Sequence, residues 1–110
     1  AYTYPENRQD VAALRIVAGD EPVGWLWLGP HPDKPGAAWV YEIELVEHAR
    51  GRGFGRATML AAETLVASRG VRELGLNVFG PNERAIGLYR SLGYATTSMN
   101  MAKPLDRGAT

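Results

Sequence analysis

The sequence predicts an α+β fold with a mixed, mostly antiparallel sheet, and two observations support this prediction. Two short strand patterns are separated by the turn at 19–22, a connection that favours an antiparallel hairpin. Farther along, a helix pattern lies between two strand patterns, and such a unit forms a right-handed crossover that makes its strands parallel. We expect this crossover at the centre of the sheet. The 110 residues are enough for one domain, 1–110.

Seven elements follow from hydrophobic periodicity and from the positions of helix-capping and helix-ending residues. The predicted order is strand 13–17, strand 23–28, strand 37–46, helix 54–68, strand 74–78, helix 82–92 and strand 94–103. Asn82 is a favourable N-cap for the second helix, and Gly93 ends that helix. Residues 1–12 are expected to be an N-terminal arm, and 104–110 a frayed tail.

Composition excludes several classes of protein. Hydrophobic residues make up 45% and charged residues 22%, ordinary values for a soluble globular domain. No apolar run approaches the roughly 20 residues that span a bilayer. The absence of Cys excludes disulfides, a thiolate nucleophile and a cysteine zinc site, and two His residues are too few for a His-rich metal centre. We expect a cytoplasmic protein with no metal and no membrane partner.

Charge is unevenly distributed although the net charge is zero. Residues 1–49 contain eight acidic and three basic side chains, whereas residues 50–110 contain four acidic and nine basic ones. A neutral total argues against a nucleic-acid partner. The asymmetry either reflects two solvated faces or indicates that the second half meets an anion and the first half a cation.

A cluster of glycine and arginine lies between the third strand and the first helix, at 50–56. Glycines let a ligand approach the backbone, and the unpaired N–H groups of a helix start bind anions. Arg50, Arg52 and Arg56 oppose the helix dipole, which a bound anion would explain. The cluster matches neither a P-loop nor G-x-G-x-x-G. The alternative is a glycine-rich turn with solvated arginines.

Two motifs resemble those of the GNAT superfamily of N-acetyltransferases. Arg50, Gly53 and Gly55 fill the pyrophosphate signature [Q/R]-x-x-G-x-[G/A]. After one helix and one strand, 82–94 resembles N-x-x-A-x-x-L-Y-x-x-x-G-[F/Y]. The resemblance extends from about residue 23 to 105. That superfamily opens with a strand and two helices on its acceptor side, for which 1–12 is too short, so we expect these elements to be missing.

The resemblance implies that acetyl-CoA enters between the third and fourth strands. The backbone of Leu45 and Val46 would pair with the pantetheine arm, and Asn82 would cap its helix and reach that arm or a bridging water. Tyr89 occupies the position of the general acid near the sulfur. The implied cofactor-binding residues are Leu45, Val46, Arg50, Gly51, Arg52, Gly53, Phe54, Gly55, Arg56, Asn82 and Tyr89.

The general base remains open at this stage. Glu42 and Glu44 alternate onto one face of the third strand, opposite Tyr41, Ile43 and Leu45. Either carboxylate would serve directly or through water, and the alternative is a solvated strand face.

Asn77 and His48 are less suitable as the general base. Asn77 stands where some relatives carry a carboxylate and cannot accept a proton. His48 is expected at the surface.

The leading functional hypothesis is an acetyl-CoA-dependent N-acetyltransferase acting on a primary amine. The acceptor, a small molecule or a protein, stays open. The alternatives are a non-catalytic acyl-CoA-binding module and a nucleotide or nucleic-acid module that uses the arginines. Trp25, Trp27 and Trp39 would support a homodimer interface if they are exposed.

Overall fold

The computed structural model describes residues 12–105, which form a four-stranded sheet and two α-helices. Their order is β1 (Ala12–Ala18), β2 (Glu21–Pro30), β3 (Ala38–Leu45), α1 (Phe54–Ser68), β4 (Leu74–Leu76) and α2 (Glu83–Ser91). The sheet order is β1-β2-β3-β4, with antiparallel pairing up to β3 and parallel pairing of β3 with β4. The predicted mixed sheet and β-α-β crossover are confirmed.

The prediction of a last strand at 94–103 is wrong for this structure. Residues 95–105 are exposed and belong to no strand. No ladder joins this segment to β4, so its large apolar side chains, Met99, Met101 and Leu105, stay exposed. As a result, the parallel pair lies at the edge of the described sheet and not at its centre. The predicted N-terminal arm, apart from Ala12, and the tail from 106 onward lie outside the described residues.

The core forms between the sheet and α1. Leu26, Leu28 and Val40 from the sheet pack with Met59 and Ala62 of α1, and the Met59 side chain is fully buried. Each buried apolar side chain of this size contributes about 1.5–3 kcal/mol to folding. Tyr89 of α2 and Leu92 at its C-cap pack against the same cluster, which places both helices against one hydrophobic core. Within residues 12–105, neither helix has the length and apolar character needed to cross a membrane.

A β-bulge in β3 changes which side chains share a face. Trp27 pairs with Glu42 and Leu28 with Val40, so Tyr41 is the extra residue that forms the bulge. Val40, and not Tyr41, therefore joins Ile43 on the side that faces the core. This corrects the simple alternation expected from the sequence.

The bulged Tyr41 is anchored through its hydroxyl. Its Oη donates to the Pro30 carbonyl at 2.6 Å. Burial raises the pKa of the Tyr41 phenol, and the nearby Asp33 carboxylate adds to the shift.

Gly24 permits the close approach of β2 to β3. A Cβ at this position would lie 2.0 Å from the Glu44 carbonyl oxygen, a contact that real structures do not tolerate. The neighbouring bond from the Val46 N–H to the Val23 carbonyl, 2.8 Å long, closes the same end of the ladder. Gly24 therefore holds β3 in register just before the glycine-arginine cluster.

We predict that Gly24→Ala lowers the free energy of unfolding by about 1–3 kcal/mol, because the backbone of β3 must move to admit the methyl group. Urea denaturation followed by circular dichroism measures the change. Gly87→Ala in α2 is the matched control: its Cβ meets nothing within 4 Å, and we expect a gain of about 0.5–1 kcal/mol from helix propensity. Equal stability of the Gly24 variant and the parent would contradict the close-packing argument.

Candidate active site

The parallel pairing of β3 with β4 is short and ends well before β3 does. The paired positions are Ala38 with Leu74, Trp39 with Gly75 and Val40 with Leu76. Beyond these pairs β3 continues to Leu45, whereas β4 ends at Leu76. The edge of β3 from 41 to 45 is therefore not bonded to β4, and we call the space beside it the β3–β4 gap.

Backbone alternation decides which groups of β3 face this gap. The Val46 N–H donates to Val23 of β2, and the Val46 carbonyl accepts from the Ala49 N–H at 3.0 Å. In an antiparallel ladder, neighbouring residues direct their N–H and C=O groups to opposite sides. Ile43 and Leu45 therefore present their backbone groups to the gap. Both backbone groups of Val46 are bonded within the protein, and the Leu45 carbonyl accepts from Arg50 Nε at 3.0 Å. Pairing of Leu45 and Val46 with a pantetheine arm stays a prediction, and Ile43, which the sequence motif does not include, faces the gap as well.

The first turn of α1 lies just after β3 and offers backbone N–H groups. Gly53 is its N-cap and has a left-handed backbone, with φ of 87°, which favours glycine. Ala57 donates to the Gly53 carbonyl at 3.1 Å. The N–H groups of 54–56 precede this bond, so they have no helical carbonyl to bond. No acidic side chain lies in the first turn, and no side chain caps it. The arrangement suits an anion.

The three predicted arginines have different surroundings. Arg50 is turned back onto β3: its Nη2 lies 2.9 Å from Glu44 Oε1, and its Nε donates to the Leu45 carbonyl at 3.0 Å. The Arg52 guanidinium lies 5.1 Å from the centre of the Phe54 ring. Arg56 donates to Ser91 Oγ at 3.0 Å and so links the start of α1 to α2.

The glycines of the cluster also differ in their surroundings. A Cβ on Gly55 would lie 3.4 Å from the Leu88 side chain, so this position brings α1 close to α2. Gly51 lies in the turn that follows Arg50.

The two candidate carboxylates share one face of β3 but have different partners. Glu42 accepts a hydrogen bond from the indole Nε1–H of Trp25, whereas Glu44 forms the ion pair with Arg50. Across the ladder Trp25 lies opposite Glu44, so tryptophans of β2 and carboxylates of β3 form one patch. Trp25 is 42% exposed. The patch therefore combines negative charge with aromatic surface.

Helix α2 contributes Asn82 and Tyr89. The Asn82 side chain accepts from the Ala85 N–H at 3.2 Å, which confirms the predicted N-cap. Tyr89 is half-buried in the last turn of α2 and packs against the core cluster. Its ring meets Tyr94 edge to face, with centroids 5.9 Å apart.

The other polar residues that the sequence singled out lie at the surface. His48 pairs with Glu21 at 2.8 Å in an exposed ion pair, and Asn77 is exposed. Among residues 12–105, no group of three or more His, Asp or Glu side chains is arranged to hold a metal ion.

The model of the Acetyltransferase (GNAT) family matches residues 2–94. The chain belongs to this family. The resemblance carried by the two sequence motifs is therefore confirmed, and the helix-start site lies in the same segment as the first GNAT motif.

Individual GNAT relatives cover most of this chain. The uncharacterized N-acetyltransferase YycN of Bacillus subtilis is 37% identical over 84 residues, which are 76% of this chain and 54% of YycN. The mycothiol acetyltransferase of Amycolatopsis mediterranei is 36% identical over 80 residues, 67% of this chain and 27% of that protein. The chain thus spans about half of YycN and a smaller share of the mycothiol enzyme.

Solved structures agree on the GNAT fold. This chain superposes on the crystal structure of YycN with a TM-score of 0.80 and a sequence identity of 31%. The superposed part is 90% of this chain and 64% of the YycN chain. The structure of AAC(6')-Iy with a CoA-containing bisubstrate analog has a TM-score of 0.72 and covers 88% of this chain and 70% of that one. Because the sequence identity to AAC(6')-Iy is 16%, the similarity to that structure shows a shared fold alone.

We predict that Asn82→Ala destabilises the protein by about 1 kcal/mol, because the Ala85 N–H loses its side-chain acceptor. Asn82→Asp keeps a capping oxygen and should stay near the parent. Thermal denaturation of the three proteins measures the difference. If Ala and Asp at this position proved equally stable, the cap would contribute nothing.

Proposed function

We propose that this chain forms the cofactor-binding and catalytic core of an N-acetyltransferase that moves the acetyl group of acetyl-CoA to a primary amine. One observation carries the proposal: the start of α1 presents N–H groups and arginines beside the β3–β4 gap. Positive groups at a helix N-terminus are unfavourable unless an anion binds there. Membership of the GNAT family supports acetyl-CoA as the source of that anion.

The residues present fit acetyl-CoA. Its pyrophosphate would be held by backbone N–H groups at 52–56, with charge-assisted bonds from Arg52 and Arg56. Arg50 would act mainly on β3, since its guanidinium is already bonded to Glu44. The amide groups of the pantetheine arm would bond the Ile43 backbone and the Leu45 N–H at the gap, since the Leu45 carbonyl already accepts from Arg50. When bound, acetyl-CoA supplies an activated acetyl thioester.

Glu42 would act as the general base. An amine must lose a proton before it attacks, and both carboxylates lie on the same face of β3. The Arg50 guanidinium occupies Oε1 of Glu44, which makes that residue an anchor for the glycine-arginine cluster. Glu42 is oriented by the Trp25 indole and would take the proton directly or through water.

Tyr89 would serve as the general acid. Its phenol Oη can donate the proton that a leaving thiolate needs. The residue stands in the last turn of α2, and α2 is linked to the start of α1 through Ser91 and Arg56. This link would hold the proton donor at a set distance from the anion site.

The acceptor is proposed to be a small cationic amine. The carboxylates of Glu42 and Glu44 on β3 lie beside the exposed aromatic surface of Trp25 on β2. Cations are attracted both to carboxylates and to aromatic rings. The naming of relatives as mycothiol acetyltransferases supports a small-molecule acceptor.

We expect Gly53→Ala to weaken acetyl-CoA binding at least about tenfold, because the αL backbone that presents the amides is disturbed. Calorimetry measures the dissociation constant. Gly70→Ala is the matched control, with φ of 83° and, as at Gly53, no atom within 4 Å of its Cβ. Both substitutions cost similar stability, about 1–2 kcal/mol. If the two folded variants bound acetyl-CoA with equal affinity, the pyrophosphate would not be bound at residues 52–56.

Tyr89→Phe keeps the ring and removes the proton donor. We expect kcat to fall about 10²–10⁴-fold, the usual contribution of a general acid, with little change in acetyl-CoA affinity. Thiol release measured over a panel of primary amines gives kcat. Unchanged kcat, with the chemical step shown to limit the rate, would mean that another group protonates the thiolate. Acetyl-CoA binding without thiol release for any amine would favour the binding-module alternative.

A further inference from the structure

Tyr94, just beyond α2, is bonded to both helices. Its hydroxyl donates to Glu63 Oε2 of α1 at 2.8 Å. Its backbone N–H donates to the Tyr89 carbonyl at 2.9 Å, and its ring meets the Tyr89 ring edge to face at 70°. Tyr94 therefore joins a fixed point on α1 to the proposed proton donor through three separate contacts. We call this chain of residues the Glu63–Tyr94–Tyr89 tether.

The contacts of Tyr94 add to the packing that restrains the Tyr89 ring. Helix α2 has nine residues, and none of them is fully buried. Tyr89 lies in its last turn, where helices fray, and it is half-buried where it packs against the core cluster. Helix α1, in contrast, supplies Met59 and Ala62 to the core. Glu63 is the next residue of α1, so its bond ties Tyr94 to a helix that is anchored in the core.

We infer that Glu63 and Tyr94 are positioning residues, which hold the Tyr89 ring in the orientation that proton donation requires. This inference rests on the proposed function, in which Tyr89 is the general acid. Edge-to-face packing restrains a ring directionally, and the phenol–carboxylate bond prevents the restraining ring from swinging away.

The tether persists over the working pH range. Burial raises the pKa of the Tyr94 phenol, and the hydrogen bond to Glu63 and the negative charge of Glu63 raise it further. Tyr94 therefore remains a protonated donor near neutral pH, while the Glu63 carboxylate accepts.

Three variants test the inference by steady-state thiol release. Tyr94→Phe and Glu63→Ala break the tether, and we expect kcat to fall about tenfold, since misplacement of a catalytic group by 1 Å costs up to about 10²-fold. KM for acetyl-CoA should stay within about twofold. Glu63→Gln keeps an acceptor for the Tyr94 hydroxyl and should retain most of kcat. Glu73→Ala, which breaks an exposed ion pair with Lys34, is the control and should match the parent.

A double-mutant cycle separates positioning from general destabilisation. In a Tyr89→Phe background, Glu63→Ala should slow kcat no further, because the group that it positions is gone. A full additional loss there would overturn the inference. If Tyr89→Phe itself left kcat unchanged, the proposed role of Tyr89 would fail, which is a different result.

A fluorine NMR measurement decides the point without any activity. The protein is labelled with 3-fluorotyrosine, and the Tyr89 signal is assigned by its loss in Tyr89→Phe. We expect Glu63→Ala to shift or broaden this signal, and Glu63→Gln and Glu73→Ala to leave it in place. A Tyr89 signal that is identical in the parent and Glu63→Ala would overturn the inference, whether or not the protein turns over.

Discussion

The early end of the parallel pairing between β3 and β4 is the constraint on which the candidate site depends. Because the two strands pair only as far as Val40 and Leu76, the Ile43 backbone and the Leu45 N–H face an open edge, while the Leu45 carbonyl accepts from Arg50. The chain then turns directly into α1, so the free N–H groups of that helix start lie close to the same edge in sequence. Longer pairing would have used these backbone groups within the sheet.

Two charged contacts organise the residues around this gap. The Arg50–Glu44 ion pair ties the glycine-arginine cluster to β3, and the Arg56–Ser91 bond ties the start of α1 to the end of α2. Exposed contacts of this kind add little stability, about 0–1 kcal/mol each. Their consequence is positional, because each connects a segment proposed to bind the cofactor with one that carries a candidate catalytic side chain.

Where prediction from sequence failed, a local irregularity or a long-range contact was responsible. The bulge at Tyr41 changes which residues of β3 face the core. Amino-acid composition does not predict an extra residue in one strand. The direction of the Val46 amide depends on its bond to Val23, which lies far away in the chain. The last strand predicted at 94–103 is absent, and residues 95–105 are exposed.

Local sequence patterns are enough to predict the elements from β1 to α2, the crossover and the N-cap at Asn82, and they propose 50–56 as an anion site. These features depend on local periodicity, capping residues and glycine spacing, which neighbouring residues encode. Three sets of contacts become apparent only when the elements pack: Glu44 with Arg50, Glu42 with Trp25, and Tyr94 with both Glu63 and Tyr89. The physical reason is that such partners belong to different elements, and packing of the sheet and helices sets which side chains meet.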